Sequence, residues 1–216
     1  MIFDFDGTLA DSEKLLVELV LDALARAGLR VALAPDEIAR LIGLPLVQVL
    51  ASASGTPADA MEEVVRLYRG RADADDVIAR FRLFPRVRPT LAALAARGKR
   101  LAIATSKSRA VTERIAAAVG LGDLITDIVG GDSVERGKPH PEAVLRLLAA
   151  ARCRPDKAAV IGDTTYDIEM GKGAGARTIA ATYGMHARST LASFEPDAFI
   201  DDVAELVGGW GPEARG

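Results

Sequence analysis

Cysteine is nearly absent from this sequence, because Cys153 is the only one in 216 residues. A chain with a single cysteine cannot form an intramolecular disulfide, which fits a reducing compartment best. No apolar run approaches the roughly 18 to 20 residues of a membrane span. The start of the chain also lacks the charged and then apolar pattern of a signal peptide. We therefore expect a soluble, cytoplasmic protein that does not interact with membranes.

An excess of positive charge is also missing. The sequence has 27 Lys and Arg against 30 Asp and Glu, with a formal net charge of -3. This balance argues against nucleic acid or an anionic membrane surface as the main partner, and an anion would need a local pocket. The sequence contains no internal repeats or low-complexity tracts. With half of its residues hydrophobic, it can bury one core with or without a small appended domain.

Residues 12 to about 85 have a helical pattern. Apolar residues recur at helical spacing through Leu15–Leu24, and this run ends at Gly28. The stretch Pro35-Asp36-Glu37-Ile38 indicates a second helix, which Asp36 caps. No segment between these limits has a convincing strand pattern, so we predict a helical insertion.

The remainder of the chain alternates short apolar strands with helices. We predict strands at Met1–Phe5, Leu101–Ala104, Asp127–Val129, Ala158–Ile161, Arg177–Thr182 and Ala198–Ile200. Apolar strands separated by helices imply a parallel sheet that is covered on both faces. The predicted fold class is α/β, a doubly wound Rossmann-like sheet with a helical cap inserted after the first strand. Residues 1–11 and 86–216 would form the catalytic core, and residues 12–85 the cap domain.

Polar side chains collect after the predicted strands, where ligands bind in open parallel sheets. They are Asp4 and Asp6 after the first strand, Thr105, Ser106 and Lys107 after the next, and Lys138, Asp163 and Asp167 in later loops. Crowded carboxylates repel one another unless a cation lies among them, and oxygen-only ligands favour Mg²⁺. Mg²⁺ beside a lysine and a hydroxyl makes a site for a phosphoryl group.

The spacing of Asp4 and Asp6 suits two roles on one substrate. Residues two apart on an extended segment point the same way, so both carboxylates can face the same ligand. One can attack phosphorus while the other protonates the leaving oxygen. Gly7 then permits a sharp turn close to the ligand.

Each of these residues also has an ordinary structural interpretation. Asp-Gly is a common turn signal, and Thr105 with Ser106 could cap a helix. Lys138 could be solvated in a surface loop, Asp163 could cap a helix, and Asp167 could be an exposed helical acid. All of these positions fall at strand ends in this order. One shared functional site explains that arrangement better than several independent structural roles that coincide, so we favour the functional interpretation.

These motifs resemble those of the haloacid dehalogenase-like hydrolase superfamily over nearly the whole chain. The matching segments are Asp4–Ser12, Thr105 after its strand, Gly137-Lys138-Pro139, and Gly162–Asp167 in its Gly-Asp-x-x-x-Asp form. A helical cap between the first motif and the second strand is similar to the C1 arrangement of that superfamily. Within it, Gly43-Leu44-Pro45-Leu46 and Thr178–Gly184 resemble phosphoglycolate phosphatases and related pyrophosphatases.

The resemblance implies a magnesium-dependent phosphatase and assigns roles to the carboxylates. Asp4 would form an aspartyl-phosphate, and Asp6 would act as general acid and then activate water. Asp4, the backbone carbonyl of Asp6, and Asp163 would hold Mg²⁺. Asp167 would lie close to the ion, either through water or by orienting Lys138.

The same resemblance implies how the phosphoryl group is bound. Thr105 and Lys138 would contact the phosphoryl oxygens, with help from the backbone N–H groups of Phe5, Gly7 and Ser106. The expected partner is a small phosphorylated metabolite, either phosphoglycolate-like or a sugar phosphate, and the protein would be a monomer or a homodimer. Asp6 argues against dehalogenase chemistry, because a halide leaves without needing a proton.

Two other functions stay open. A phosphomutase or phosphotransferase of the same superfamily would pass the phosphoryl group to a second substrate instead of water, although Leu46 stands where such mutases usually carry an arginine. A receiver-like signalling module would be phosphorylated on an aspartate as a switch. In the insertion, Tyr68-Arg69 is the pair we would test first for substrate contact, and we expect His186 to be exposed or satisfied locally.

Overall fold

The computed structural model describes residues 1–208, and its centre is a six-stranded sheet in the order β3-β2-β1-β4-β5-β6. The strands are β1 Ile2–Phe3, β2 Ala102–Ala104, β3 Asp127–Val129, β4 Ala159–Gly162, β5 Arg177–Ala181 and β6 Ala198–Ile200. Every neighbouring pair is parallel. The predicted doubly wound α/β fold is confirmed.

Hydrophobic side chains cover both faces of the sheet, because successive residues of a strand point to opposite sides. Phe3 and Ile161 belong to one hydrophobic cluster, whereas their neighbours Ile2 and Val160 belong to a second cluster on the opposite face. Burial on both faces explains why these strands are short apolar runs that do not alternate with polar residues.

Eleven helices are present within residues 1–208. They are α1 Glu13–Arg26, α2 Pro35–Ala39, α3 Leu46–Ser54, α4 Glu62–Ala72, α5 Asp75–Ile78, α6 Val87–Ala96, α7 Arg109–Ala118, α8 Glu142–Ala151, α9 Thr165–Gly173, α10 Arg188–Ala192 and α11 Glu205–Gly208. None of them is both long enough and apolar enough to cross a membrane. Helices α1–α5 form the helical insertion between β1 and α6, and the division into a core and a cap domain at residues 12–85 stays a prediction.

The predicted cap of α2 by Asp36 is wrong. Ala34 occupies the N-cap position, and the Glu37 carboxylate accepts the Ala34 N–H at 2.8 Å. Pro35 starts the helix because the first turn needs no N–H donor there. Asp36 instead accepts a hydrogen bond from Arg40 at 3.0 Å, one helical turn away.

Strand β1 is shorter than predicted, but it lies at the centre of the sheet. It pairs with β2 on one side and with β4 on the other. The ladder continues one residue further, because the Asp4 N–H donates to the Ile161 carbonyl at 2.8 Å. Phe3 and Phe5 are both fully buried, so the backbone of Asp4 is anchored from both sides.

The two chain segments that connect the insertion to the sheet run side by side. Ala10 and Leu83 form an antiparallel bridge. The Asp11 N–H donates to the Arg82 carbonyl at 2.9 Å, and the Phe84 N–H donates to the Leu9 carbonyl at 3.0 Å. The chain therefore leaves and re-enters the α/β core at one place.

We predict that Leu91→Ala lowers the free energy of unfolding by about 2 to 5 kcal/mol, because it leaves a cavity in a core that holds Leu91 at 0% exposure. Leu145→Ala is the matched control, since Leu145 is 44% exposed on α8, and it should change the free energy by no more than about 0.5 kcal/mol. Urea unfolding at equilibrium measures both variants, and equal losses would contradict the assigned packing.

Candidate active site

The carboxyl ends of β1, β2 and β4 meet at one edge of the sheet. β1 lies between β2 and β4, and the strand order turns at β1 and β4, which is where open α/β sheets form a ligand crevice. Asp4 follows β1, Thr105 follows β2 and Asp163 follows β4. The topology thus brings residues that are far apart in the sequence together at the carboxyl edge of the sheet.

Three buried carboxylates form the centre of this site. Asp4, Asp163 and Asp167 each offer an oxygen, and these oxygens lie within 4.8 Å of one another. Their side chains are almost completely shielded from solvent. Such a set of oxygens at this spacing could hold a metal ion.

Lys138 lies among these carboxylates. Its Nζ is 2.7 Å from Asp4 Oδ1 and 2.6 Å from Asp167 Oδ1, and the side chain is buried. Burial alone would lower the pKa of Lys138, but the charges of Asp167 and Asp4 raise it above its ordinary value. Lys138 is therefore a permanent cation, and its interpretation as a solvated surface residue is wrong.

One ammonium group does not balance three carboxylates. Burial raises the pKa of Asp4 well above its ordinary value. The charge of Lys138 lowers this pKa, and the charges of Asp167 and Asp163 raise it again. Burial also raises the pKa of Asp163 to about 7, and the charge of Asp167 adds to this effect. With all three carboxylates ionised, the site would hold more negative charge than Lys138 neutralises, which a bound cation would relieve.

The side chains of Asp163 and Asp167 are held by fixed donors. The Thr8 hydroxyl and the Met185 N–H donate to the two oxygens of Asp163 at 2.6 and 2.8 Å. The Thr164 N–H and hydroxyl both donate to Asp167 Oδ2 at 3.0 and 2.6 Å. The interpretations of Asp167 as an exposed acid and of Asp163 as a helix cap are wrong, because Asp167 is buried and Thr164 occupies the N-cap of α9.

Gly7 has a conformation that only glycine adopts readily, with φ +81°. A Cβ atom at this position would lie 2.1 Å from Asp163 Oδ2. Any side chain here would displace that carboxylate from the cluster. The predicted sharp turn is therefore needed for a close approach between two loops that are more than 150 residues apart in the sequence.

The side chain of Asp6 is not a member of the three-carboxylate cluster. Ser12 donates its hydroxyl to Asp6 Oδ1 at 2.7 Å, and Lys107 Nζ lies 3.2 Å from Asp6 Oδ2. The Lys107 ammonium also lies 5.1 Å from the centre of the Phe81 ring. Ser12 and Lys107 thus hold the Asp6 carboxylate separately from that cluster.

Most of the predicted site residues, but not Asp163 or Asp167, line one cavity of about 920 Å³ between the sheet edge and the helical insertion. Its lining includes Asp4, Asp6, Thr105, Ser106 and Lys138. Thr105 is buried and does not cap a helix, since Ser108 occupies the N-cap of α7.

Two residues singled out in the insertion, Tyr68 and Arg69, line the same cavity. Ser106 reaches across it, because its hydroxyl donates to the Gly43 carbonyl of the insertion at 2.6 Å. The cavity therefore has one wall from the sheet edge and one wall from the insertion.

The expectation for His186 is wrong. The residue is buried, and the Thr165 N–H donates to its Nδ1 at 3.2 Å. Its Nε2 lies 2.9 Å from the Arg40 carbonyl, and since Nδ1 accepts, Nε2 carries the proton and donates. His186 thus links the insertion to the start of α9 over a long sequence distance.

The comparisons with known proteins agree with this geometry. A family model described as haloacid dehalogenase-like hydrolase matches residues 1–181. The probable phosphatase IndB of Dickeya dadantii is 35% identical over 96% of this chain and 91% of that protein. A phosphoglycolate phosphatase of Rhodospirillum rubrum is 33% identical over 97% of this chain and 89% of that protein. A solved haloacid dehalogenase-like hydrolase from Bacteroides fragilis superposes with a TM-score of 0.89 at 31% identity, over 95% of this chain and 97% of that one.

We predict that metal-free protein loses stability relative to the Asp163→Asn variant as the pH rises from about 4 through 7. The folded state holds the pKa of Asp163 at about 7, above the ordinary value of 3.8. Stability that depends on the protonated carboxyl is complete below pH 4 and is lost as the pH rises through 7. The amide of the variant cannot ionise, and loss of the Asp163 charge also lowers the pKa of Asp4, which adds to the difference in the same direction.

Urea unfolding of both proteins in the presence of a chelator, at several pH values between 4.5 and 8, measures this difference. The prediction would be contradicted if the difference stayed constant with pH, or if it favoured the wild type as the pH rises. Either result would show that ionisation of Asp163 does not destabilise the folded protein.

Proposed function

The chain belongs to the haloacid dehalogenase-like hydrolase family, and from that premise we propose that it hydrolyses a small phosphomonoester through an aspartyl-phosphate on Asp4. The observation that carries the proposal is the buried contact of Lys138 with Asp4 and Asp167 at the end of a large cavity. A nucleophile, a fixed cation and a group of oxygen ligands lie together there, which is the arrangement that phosphoryl transfer requires.

We propose Mg²⁺ as the metal. The donor set fits this ion, because it consists only of oxygens, is buried, and carries uncompensated negative charge. Asp4, Asp163 and the backbone carbonyl of Asp6 would hold it. Asp167 contacts Lys138 directly, so we assign it the role of orienting that lysine close to the ion. When bound, the ion neutralises charge on the phosphoryl oxygens.

Asp4 acts as the nucleophile. Its Oδ1 accepts the Phe5 N–H at 2.7 Å and contacts Lys138, so the carboxylate has a fixed orientation. An Asp4 oxygen bonds to phosphorus while the bond from phosphorus to the leaving oxygen breaks. Thr105 and Lys138 contact the phosphoryl oxygens, and Lys138 offsets their charge during the transfer.

Asp6 moves the protons. In its protonated form Asp6 donates a proton to the leaving oxygen in the first step. The resulting carboxylate takes a proton from the attacking water in the second step, which releases Asp4 and inorganic phosphate and restores the protonated form. The hydrogen bond from Ser12 and the ion pair with Lys107 hold the Asp6 carboxyl at the cavity wall. The helical insertion covers the cavity and limits the access of bulk water.

The test of this function is hydrolysis of p-nitrophenyl phosphate with and without Mg²⁺. We predict that Asp4→Asn reduces kcat by about 10³-fold or more, because the amide cannot form the phosphorylated intermediate. Asp59→Asn is the matched control, since Asp59 is exposed in the insertion and lies outside the cavity lining. Similar activity in the Asp4 and Asp59 variants would rule out Asp4 as the nucleophile.

We predict that Asp6→Asn lowers steady-state turnover by about 10² to 10⁴-fold, since it removes the general acid and base. With p-nitrophenyl phosphate the first step needs no proton, because nitrophenolate leaves readily as an anion. The variant should therefore release up to one nitrophenolate per enzyme in a rapid burst and then stall. Stopped-flow absorbance measures the burst, and unchanged steady-state turnover would contradict the role of Asp6.

A further inference from the structure

We propose that the leaving group of the physiological substrate is uncharged and apolar, and that it binds an apolar wall which the helical insertion presents to the cavity. The wall consists of Leu44, Leu46, Val47, Val65 and Tyr68, which all line the cavity. This inference rests on the proposed phosphatase function and adds the class of substrate. It differs from what the name of the Rhodospirillum rubrum relative suggests, because phosphoglycolate carries a carboxylate on its leaving group.

The apolar wall is exposed towards the cavity and supported from behind. Its members are partly buried, and all of them pack against the main hydrophobic cluster. The hydrogen bond from Ser106 to the Gly43 carbonyl, at 2.6 Å, holds the start of the wall against the sheet edge. Apolar side chains therefore begin next to the phosphoryl site and continue along helices α3 and α4.

The cavity is larger than a two-carbon acid requires. Its volume is about 920 Å³, near the upper end of the range of about 300 to 1,000 Å³ that holds drug-sized ligands. A phosphoryl group fills only the end at Asp4. The remaining space adjoins the apolar wall, where an aliphatic or aromatic leaving group would displace water from apolar surface.

The charges around the cavity do not favour a second anionic group. Among the described residues that line it, six are Asp or Glu and four are Lys or Arg, and the lining also includes His140. Lys138 is paired with Asp4 and Asp167, and Lys107 with Asp6. Arg69 and Arg136 are the other two bases, and both are exposed.

The proposed Mg²⁺ and Lys138 serve the charge of the phosphoryl group, so an anionic leaving group would depend on the exposed Arg69 and Arg136 for a partner. Its carboxylate would also lose hydration without gaining a buried cation of its own. An uncharged leaving group carries neither cost. Charge and apolar surface thus favour the same class of substrate.

The experiment compares ethyl, butyl and hexyl phosphate in the presence of Mg²⁺, with phosphoglycolate as the anionic competitor. The three alkyl esters have nearly equal leaving-group reactivity, so differences in kcat/KM report binding of the chain. Each methylene buried at the wall should raise kcat/KM by up to roughly fourfold. We expect hexyl phosphate to exceed ethyl phosphate by at least about tenfold and to exceed phosphoglycolate as well.

Two variants locate the effect. Leu46→Asn places an amide in the wall and should reduce the ratio of hexyl to ethyl kcat/KM by about tenfold or to near one. Leu145→Asn is the same substitution at an exposed position outside the lining and should leave the ratio unchanged. Calorimetric binding of hexylphosphonate and ethylphosphonate, which cannot be hydrolysed, should show the same preference and the same loss.

The outcomes separate this inference from the proposed function. Equal kcat/KM for the alkyl esters, or a preference for phosphoglycolate, would overturn the apolar assignment while leaving phosphatase activity intact. If no phosphate ester were hydrolysed, the proposed function would fail. The two phosphonates would still report whether the apolar wall binds an alkyl chain. Equal affinity for the two phosphonates would then overturn the inference.

Discussion

The contact of Lys138 with Asp4 and Asp167 is the interaction on which the site depends. Three buried carboxylates would repel one another without it, and each would carry the full cost of losing water. The two N–O distances of 2.7 and 2.6 Å show that one ammonium group serves two loops that follow different strands. The remaining negative charge makes a buried site for a cation. Close packing of these carboxylates would favour metal binding, but it also destabilises the metal-free protein, because their negative charges repel one another.

The helical insertion is connected to this charged centre at several points. Ser12 donates to Asp6, Ser106 donates to the Gly43 carbonyl, and His186 donates to the Arg40 carbonyl. Each contact joins a residue of the insertion to one near the carboxyl edge of the sheet. A change in the position of the insertion would therefore alter the orientation of Asp6 as well as the shape of the cavity, which would connect substrate fit to the proton transfer proposed for Asp6.

Much of the fold and the membership of the carboxylate cluster could be predicted from the sequence. The apolar runs at β3 and β6 have the same bounds in the structure as in the prediction, and carboxylates after parallel strands must share one sheet edge. The partners of those carboxylates could not be predicted. Thr8 with Asp163, Lys107 with Asp6 and His186 with Arg40 each join separate loops, and no local spacing encodes which loops meet. Burial of Asp167 could not be predicted either, since a helical acid has the same sequence pattern whether it faces solvent or a lysine.

The side-by-side course of the two connecting segments has a consequence for how this architecture can change over time. Because the Asp11 N–H reaches the Arg82 carbonyl at 2.9 Å, the chain between them could be replaced by a different insertion, or by a short turn, without stretching the sheet. The reacting groups on the sheet edge and the wall that faces them can then diverge at different rates. The α/β core would then conserve the reaction while the helical insertion changes the substrate, and the hydrogen-bonded pair of segments is the boundary between them.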